Sequence, residues 1–312
     1  MRNSSLVADA SSRAHPGTPG LDRLEARFRD ASPVFRDVVT RSRQTFGERW
    51  ASLFDETITR LLPGEPELAA AVDGYSRFAL EVVRLQLRFE KERSYVSKSY
   101  ADVARAVYAN ETYMRTCYLP GLLLSHYLWP HHFRQMRYFE EVFVGEMGRT
   151  GARQFYDIGV GTGFYSRLAL MGAPSTAGVG FDISPSSQEF AERHVRAFGA
   201  GARYRVELRD VAEKPPTPVD WLICVEVLEH LEDPMEFLRA LRGLLRPGGT
   251  AFIATALNAP NADHIYLYRT AEDVKIQLLA AGFAVTQYSC ALAGPPKHPD
   301  SPVAEVAAFV VT

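Results

Sequence analysis

The residues of this 312-residue chain that could do chemistry lie mostly in its second half. In Asp157-Ile-Gly159-Val-Gly161-Thr-Gly163, glycine recurs at every second position between an apolar run and a helical pattern. Glycines at such a turn let the backbone approach a ligand closely, because no Cβ stands in the way. Asp157 sits inside the strand end, where a carboxylate can receive an ammonium group. Asp182 closes the next apolar run in GFDIS, where an acid can accept both hydroxyls of a ribose, and Asp210 follows in LRDVAE. Beyond them come Glu226-Val-Leu-Glu229-His230 and the stretch NAPNADHIYLYRT, with His264, Tyr266 and Tyr268. Imidazoles such as His230 and His264 suit general-base removal of a hydroxyl proton. A glycine-rich turn alone also suits a dinucleotide, but the G-x-G-x-G spacing lacks the third-glycine offset of that pattern.

These residues have to be held by strand ends. The strand candidates are 154–160, 177–183, 203–209, 220–227, 250–256, 283–289 and 306–312. Helical stretches separate the first several, which predicts a mostly parallel sheet covered on both faces. The last two are joined by GPPKHPDSP and not by a helix, so they are expected to form a hairpin with one antiparallel strand. Parallel sheets present ligands at their carboxyl edge, which is where the glycines, acids and histidines fall.

Residues 21–148 read as helical throughout. Ser32-Pro33 looks like an N-cap followed by proline at the first helical position, with Gly47 as a stop. Glu65-Pro66 opens a longer helix in which Val72, Tyr75, Phe78, Ala79, Val82, Val83 and Leu85 recur at helical spacing. Another helix is expected from Ser99 to Asn110. The aromatic stretch from Tyr118 to Phe143 should be broken at Pro120-Gly121 and again at Trp129-Pro130. The division predicted is a disordered tail over 1–20, a helical substrate-capping domain over 21–148 and a ligand-binding domain over 149–312.

Composition narrows the field. Lys+Arg 35 against Asp+Glu 37 gives a net charge of -2, and neither half is the basic domain that nucleic-acid binding requires. No apolar run is long enough for a membrane span, and the N-terminus lacks the apolar core of a secretory signal. Cys117, Cys224 and Cys290 lie too far apart for a metal-ligand spacing and read as buried thiols of a cytoplasmic protein.

From about Gly151 to Thr312 the chain resembles the class I S-adenosylmethionine-dependent methyltransferases. The resemblance rests on DIGVGTG, GFDIS, LRDVAE, ICVEVLEHLEDP and LLRPGGTAFIAT, in that order at strand ends. It implies a Rossmann-like α/β fold: a mostly parallel seven-stranded sheet with an antiparallel last strand, here behind an all-α N-terminal cap. It also implies S-adenosylmethionine as cofactor. Carried over, Gly159, Gly161 and Gly163 line the methionine part, Asp182 binds the ribose hydroxyls and Ile183 packs on the adenine. Asp210 meets the adenine amino group beside Val211, and Glu226 stands near the methionine or the acceptor. Tyr100 is expected to reach the cofactor from the helical half.

The expected reaction is methylation of a small aromatic or amino-acid-derived molecule of natural-product type, on oxygen before carbon, with His264 and His230 as catalytic candidates. No metal is assigned. Glu226, Glu229 and His230 at i, i+3 and i+4, with His264, also resemble the magnesium sites of some methyltransferases that act on hydroxyls, although E-x-x-E-H occurs in relatives without metal as well. Tyr95, Tyr100, Tyr108 and Tyr113 suit a lid over a flat acceptor, and equally the rim of a helical core. His126, His131 and His132 could bind metal, but packing is the simpler role. The remaining alternatives are a non-catalytic cofactor-binding protein and a nucleic-acid methyltransferase. A homodimer through the helical half is possible.

Overall fold

The computed structural model describes residues 17–296 and 301–312. The tail expected over 1–20 lies outside the described residues up to residue 16, and a helix begins at Pro19. The strands are β1 (Gln154–Ile158), β2 (Ala177–Asp182), β3 (Tyr204–Leu208), β4 (Val219–Val225), β5 (Leu245–Leu257), β6 (Val285–Leu292) and β7 (Glu305–Val311). They form one seven-stranded sheet in the order β3-β2-β1-β4-β5-β7-β6. The first five pair in parallel, and β7 pairs antiparallel with both β5 and β6, so the expected hairpin is present. In β5 every residue from Ala251 to Leu257 is buried. This continuous apolar run, without alternation, is what a central strand covered on both faces requires.

The helices are α1 (Pro19–Ala31), α2 (Val38–Leu61), α3 (Glu65–Glu92), α4 (Tyr100–Val103), α5 (Glu111–Tyr113), α6 (Leu119–Leu128), α7 (Pro130–Tyr138), α8 (Gly145–Thr150), α9 (Phe164–Gly172), α10 (Pro185–Ala197), α11 (Pro234–Leu244) and α12 (Ala271–Ala280). Three starts that follow strands carry legible caps. The Ser184 side chain accepts from the Ser187 amide, that of Asp233 accepts from the Met235 and Glu236 amides, and Thr270 and Asp273 form a capping box.

Two expectations in the helical half are corrected. Ser32 ends α1 and residues 33–37 are turns, so Ser32-Pro33 starts no helix; Gly47 does interrupt the helix as expected, with φ 76° and ψ -165°, and a second helical stretch follows it directly within α2. Nor does Pro120-Gly121 break the chain. A π-helical turn over Met114–Tyr118 runs directly into α6, with Pro120 in its first turn. Proline has no amide hydrogen, so the Thr116 carbonyl loses its i+4 donor; the Arg77 guanidinium donates to it instead. Gly121 is needed for close approach of α6 to α3, since a Cβ there would lie 2.5 Å from the Phe78 side chain. The break at Trp129 is as expected: its ψ of 121° is the extended conformation that a following proline enforces.

One face of the sheet is covered by α11 and α12 through Leu238, Leu241, Val274 and Leu278. The other is covered by α9 and by the N-terminal helices, and these share one continuous core that includes Trp50, Phe54, Tyr127, Phe139, Phe143, Phe164 and Phe252. Tyr127 ties it together. Its ring stacks on Phe54 at 4.4 Å, and its hydroxyl meets Thr57 at 2.7 Å and buried Arg167 at 3.0 Å. Among the described residues Cys117 and Cys224 are buried, whereas Cys290 is exposed on β6, contrary to the expectation of burial; all three are free thiols.

Candidate active site

Neighbouring β1 and β4 connect in opposite directions along the sheet, and a crevice opens where they diverge. It has a volume of about 700 Å³, within the usual range for small-molecule sites. Gly159, Gly161 and Gly163 have φ of 72°, 49° and 69°. Gly159 and Gly161 line the crevice and Gly163 does not. A Cβ on Gly163 would lie 2.8 Å from Ala191 Cα, so its role is close approach of α9 to α10. His194, fully buried in α10, bonds to the Thr162 carbonyl at 2.8 Å and fixes the loop from behind.

The Asp182 carboxylate accepts the Gly161 amide at 3.1 Å and the Ser184 amide at 2.8 Å. Burial raises its pKa, and these amides oppose the rise. Ile183, 45% exposed, offers an apolar platform beside it, and Asp210, Val211 and Tyr100 complete this end. The Tyr100 amide donates to Glu232 at 2.7 Å, and its phenol feels the charges of Asp210 and Asp182. Asp157 is buried, accepts the Ser166 hydroxyl at 2.6 Å, and is pushed by burial from 3.8 up to about 7.

The other end is built from the end of β4 and the loop after β5. Glu226 follows β4 with φ 55°, a conformation that costs a non-glycine residue about 1–3 kcal/mol. One of its carboxyl oxygens is buried without a partner, and burial together with Glu229 drives its pKa well up. Leu228–His230 is a single 3-10 turn, so the helical face expected for Glu226, Glu229 and His230 does not form. Glu229 is fully buried and accepts the Thr255 hydroxyl at 2.7 Å and the Ala256 amide at 3.1 Å. Its carbonyl takes the Ile265 and Tyr266 amides, so Glu229 braces the loop after β5.

His230 lines the crevice and His264 does not. The His230 Nδ1 lies 3.1 Å from the Asp263 carbonyl and 3.4 Å from its carboxylate. Burial works to lower the pKa of His230, but the charges of Asp263 and Glu229 outweigh it and hold it above 6.5. Asp263 is fully buried and accepts the Tyr118 hydroxyl at 2.7 Å and that of Tyr108 at 3.5 Å. His264 stands behind His230, ring centres 5.0 Å apart, with Nδ1 on the Ala259 carbonyl at 2.5 Å; its pKa is lowered, chiefly by burial. Sequence reasoning singled out neither Asp263 nor Tyr118. The signal available was an acid directly beside the histidine that had been chosen.

A segment from the helical half crosses this loop. Tyr95 and Ser97 donate to the carbonyls of His264 and Ile265 at 2.7 and 3.0 Å, and Lys98 donates to those of Asn261 and Ala262 at 2.5 and 2.6 Å. Tyr108, Met114, Tyr118 and Leu122 wall the crevice, whereas Tyr95 and Tyr113 are not on it. His126 also lines it, stacked on Phe164 at 4.1 Å and held neutral by burial, which lowers its pKa to about 3. His132 packs against His126 with ring centres 5.8 Å apart, and His131 packs against His132 at 4.4 Å. Among the described residues, the potential metal-ligand atoms that converge belong instead to Glu229, His230 and His264, within 4.8 Å of one another.

Residues 156–251 match the family described as a methyltransferase domain. A ubiquinone biosynthesis O-methyltransferase of Xanthomonas campestris pv. campestris is 38% identical over 114 residues, 36% of this chain and 46% of that protein. One of Pseudomonas syringae pv. tomato is 32% identical over 122 residues, 38% of this chain and 51% of that protein. The chain thus spans about half the length of the curated relatives it matches. Phospholethanolamine N-methyltransferase 2 of Haemonchus contortus, solved with S-adenosylhomocysteine, is similar in fold. Its TM-score is 0.50 at 14% identity, over 69% of this chain and 60% of that one. The crevice fits S-adenosylmethionine on its own evidence. A glycine cradle, a carboxylate fixed at the end of β2 and an unpartnered Glu226 oxygen suit a cationic nucleoside. Residues 156–251 are a methyltransferase domain, set in the seven-stranded fold of the class I S-adenosylmethionine-dependent methyltransferases.

Proposed function

We propose that the chain transfers a methyl group from S-adenosylmethionine to a hydroxyl of a small, flat aromatic acceptor, with His230 as general base. The observation that carries this reading is His230 on the crevice wall with its Nδ1 engaged by Asp263, so Nε2 is the nitrogen we assign to the acceptor hydroxyl. When bound, the cofactor supplies an electrophilic methyl group, so the chain has to position the acceptor, exclude water and take one proton. Gly159 and Gly161 admit the methionine portion, Asp182 takes the ribose hydroxyls, and Ile183, Asp210, Val211 and Tyr100 receive the adenine end. Tyr108, Tyr118, Leu122 and Tyr165 wall the acceptor. His230 accepts the hydroxyl proton, and the Asp263 carboxylate stabilises the resulting imidazolium. The relatives named as O-methyltransferases support oxygen over carbon.

The helical half acts in this reading as a cap that selects acceptors, as befits a natural-product tailoring enzyme, and the free thiols suit the cytoplasm. The test is transfer from labelled S-adenosylmethionine to a panel of phenols, with calorimetry of cofactor binding beside it. Cofactor binding with methyl ethers as products is expected. Cofactor binding without transfer to any acceptor would favour a regulatory protein.

One observation favours a second reading. The converging atoms of Glu229, His230 and His264 could hold a divalent ion that activates the hydroxyl directly. Glu229 already accepts two donors as a loop brace, which favours the base. Loss of activity on chelation, restored by added metal, would reverse that choice.

A further inference from the structure

We propose that Tyr118, seconded by Tyr108, is a positioning residue for the base, so that the helical half helps to build the active site as well as to cap it; this rests on the methyl-transfer reading above. Both phenols donate to one oxygen of Asp263, Tyr118 at 2.7 Å and Tyr108 at 3.5 Å, and that same Oδ2 lies 3.4 Å from His230 Nδ1. The other carboxyl oxygen, Oδ1, is buried without a partner. Donors that served only to settle a buried carboxylate would be spread over both oxygens. Gathered on one, they fix the side-chain rotation that turns Oδ2 toward the imidazole. The backbone carbonyl of Asp263, 3.1 Å from Nδ1, can keep a proton there, but only the carboxylate brings a full negative charge to the imidazolium.

The two tyrosines are delivered by the same local device. Tyr108 ends a π-helical turn over Ala104–Tyr108, and Tyr118 ends the one over Met114–Tyr118. Such turns are rare and collect at functional sites. Burial, with the Asp263 charge behind it, pushes the pKa of both phenols well up, so they stay protonated donors. The loop bearing Asp263 does not depend on them for its path, because Tyr95, Ser97 and Lys98 hold the backbone carbonyls of Asn261, Ala262, His264 and Ile265. The Tyr118 ring meets Phe78 edge-on at 5.9 Å, a contact that phenylalanine keeps. Removing the hydroxyl alone should therefore release the carboxylate and leave the loop and the crevice wall in place.

The test is Tyr118→Phe, followed by two measurements. In crystals of the wild type and the variant, the variant's Asp263 Oδ2 should have turned out of hydrogen-bond reach of His230 Nδ1, with the loop backbone unmoved. In methyl transfer from labelled S-adenosylmethionine to the fastest phenol of the panel above, kcat should fall by about tenfold, while acceptor KM and cofactor affinity stay within about twofold. In an Asp263→Asn background the same substitution should cost less than about twofold, because the two residues act as one unit. Tyr108→Phe, which removes the longer bond, should cost less than about threefold. An Asp263 carboxylate that keeps its place in the Tyr118→Phe protein overturns the proposal. So does a kcat loss of the same size in the Asp263→Asn background. A rise in acceptor KM with kcat unchanged also overturns it, since the hydroxyl would then be a plain acceptor contact. A wild type that binds no cofactor or methylates no phenol would instead strike the methyl-transfer reading, and the crystal comparison would still decide whether Tyr118 holds Asp263.

Discussion

The two ends of the crevice are built by different means. At the end proposed to hold the nucleoside the parts are local in sequence. Gly159 and Gly161 bend the turn after β1, and Asp182 is fixed by amides of that turn and of the next one. At the end proposed to hold the acceptor the parts arrive from afar: Tyr118 and Tyr108 reach Asp263 across 145 and 155 residues of sequence. The first end is a backbone feature and the second a side-chain assembly. Substitutions should therefore affect cofactor affinity at one end and turnover or acceptor choice at the other.

The largest effect separating the two ends is expected at His230. His230→Ala should lower kcat by about 10²–10⁴ with cofactor affinity near that of the wild type. A large loss of cofactor affinity would show instead that His230 serves the nucleoside end. Asp182→Ala should do the converse. Losing a charge-assisted acceptor of ribose hydroxyls is worth on the order of 2–3 kcal/mol, or roughly 30- to 150-fold in cofactor affinity. A change below about threefold would mean that the ribose is held elsewhere.

The glycines sharpen the contrast within one turn. Gly161→Val puts a side chain into the crevice at φ 49° and should weaken cofactor binding by about tenfold or more, with the fold retained. Gly163→Val drives a side chain into Ala191 and should instead lower the melting temperature. If the two variants behave alike, the division of labour between these glycines is wrong.

A pH profile tests the acceptor end alone. His230 has to be neutral to act, so kcat/KM should rise with pH through a midpoint above 6.5, and Asp263→Asn should move that midpoint down. The stability contribution runs the other way. With its folded value raised, the protonated His230 paired to Asp263 adds stability below about pH 6.5 that is lost as pH climbs through the folded value. The smallest effect belongs to His264. As a residue behind the base, His264→Ala should cost less than about tenfold in turnover, and chelators should change nothing. Sensitivity to both would install a metal in place of the base.

This contrast also explains what could be read from sequence. The central strands β1, β2, β4 and β5 and the turn after β1 were legible because buried parallel strands need near-continuous apolar runs and a tight turn needs glycine, and both constraints are local. Asp182 was legible because it ends a strand. His230 and His264 were legible as types, but which of them faces the crevice depends on Asp263, Glu229 and the segment carrying Tyr95 and Lys98. No periodicity records those contacts. Pro120 misled for a related reason: a π-helical turn and Arg77, from another helix, satisfy the carbonyl that a proline ordinarily strands.

The core shared by the helices and the sheet bears on how a reactant gets in and out. Phe139 and Phe143 pack on Phe252, and Phe143 also meets Trp221, so the bundle is anchored to the strands themselves. It cannot swing away on a hinge without opening the main core, and the two halves should melt as a single cooperative unit. The small cluster of Val103, Val107, Met114, Leu119 and Ile265 touches the main core through Phe190 and through α6, which carries Leu119. Local unfolding there, with release of the Tyr95, Ser97 and Lys98 bonds to the loop after β5, disturbs few apolar contacts. The segment carrying Tyr95 and Lys98 is therefore expected to open more readily than the main core, and hydrogen exchange of its amides checks this.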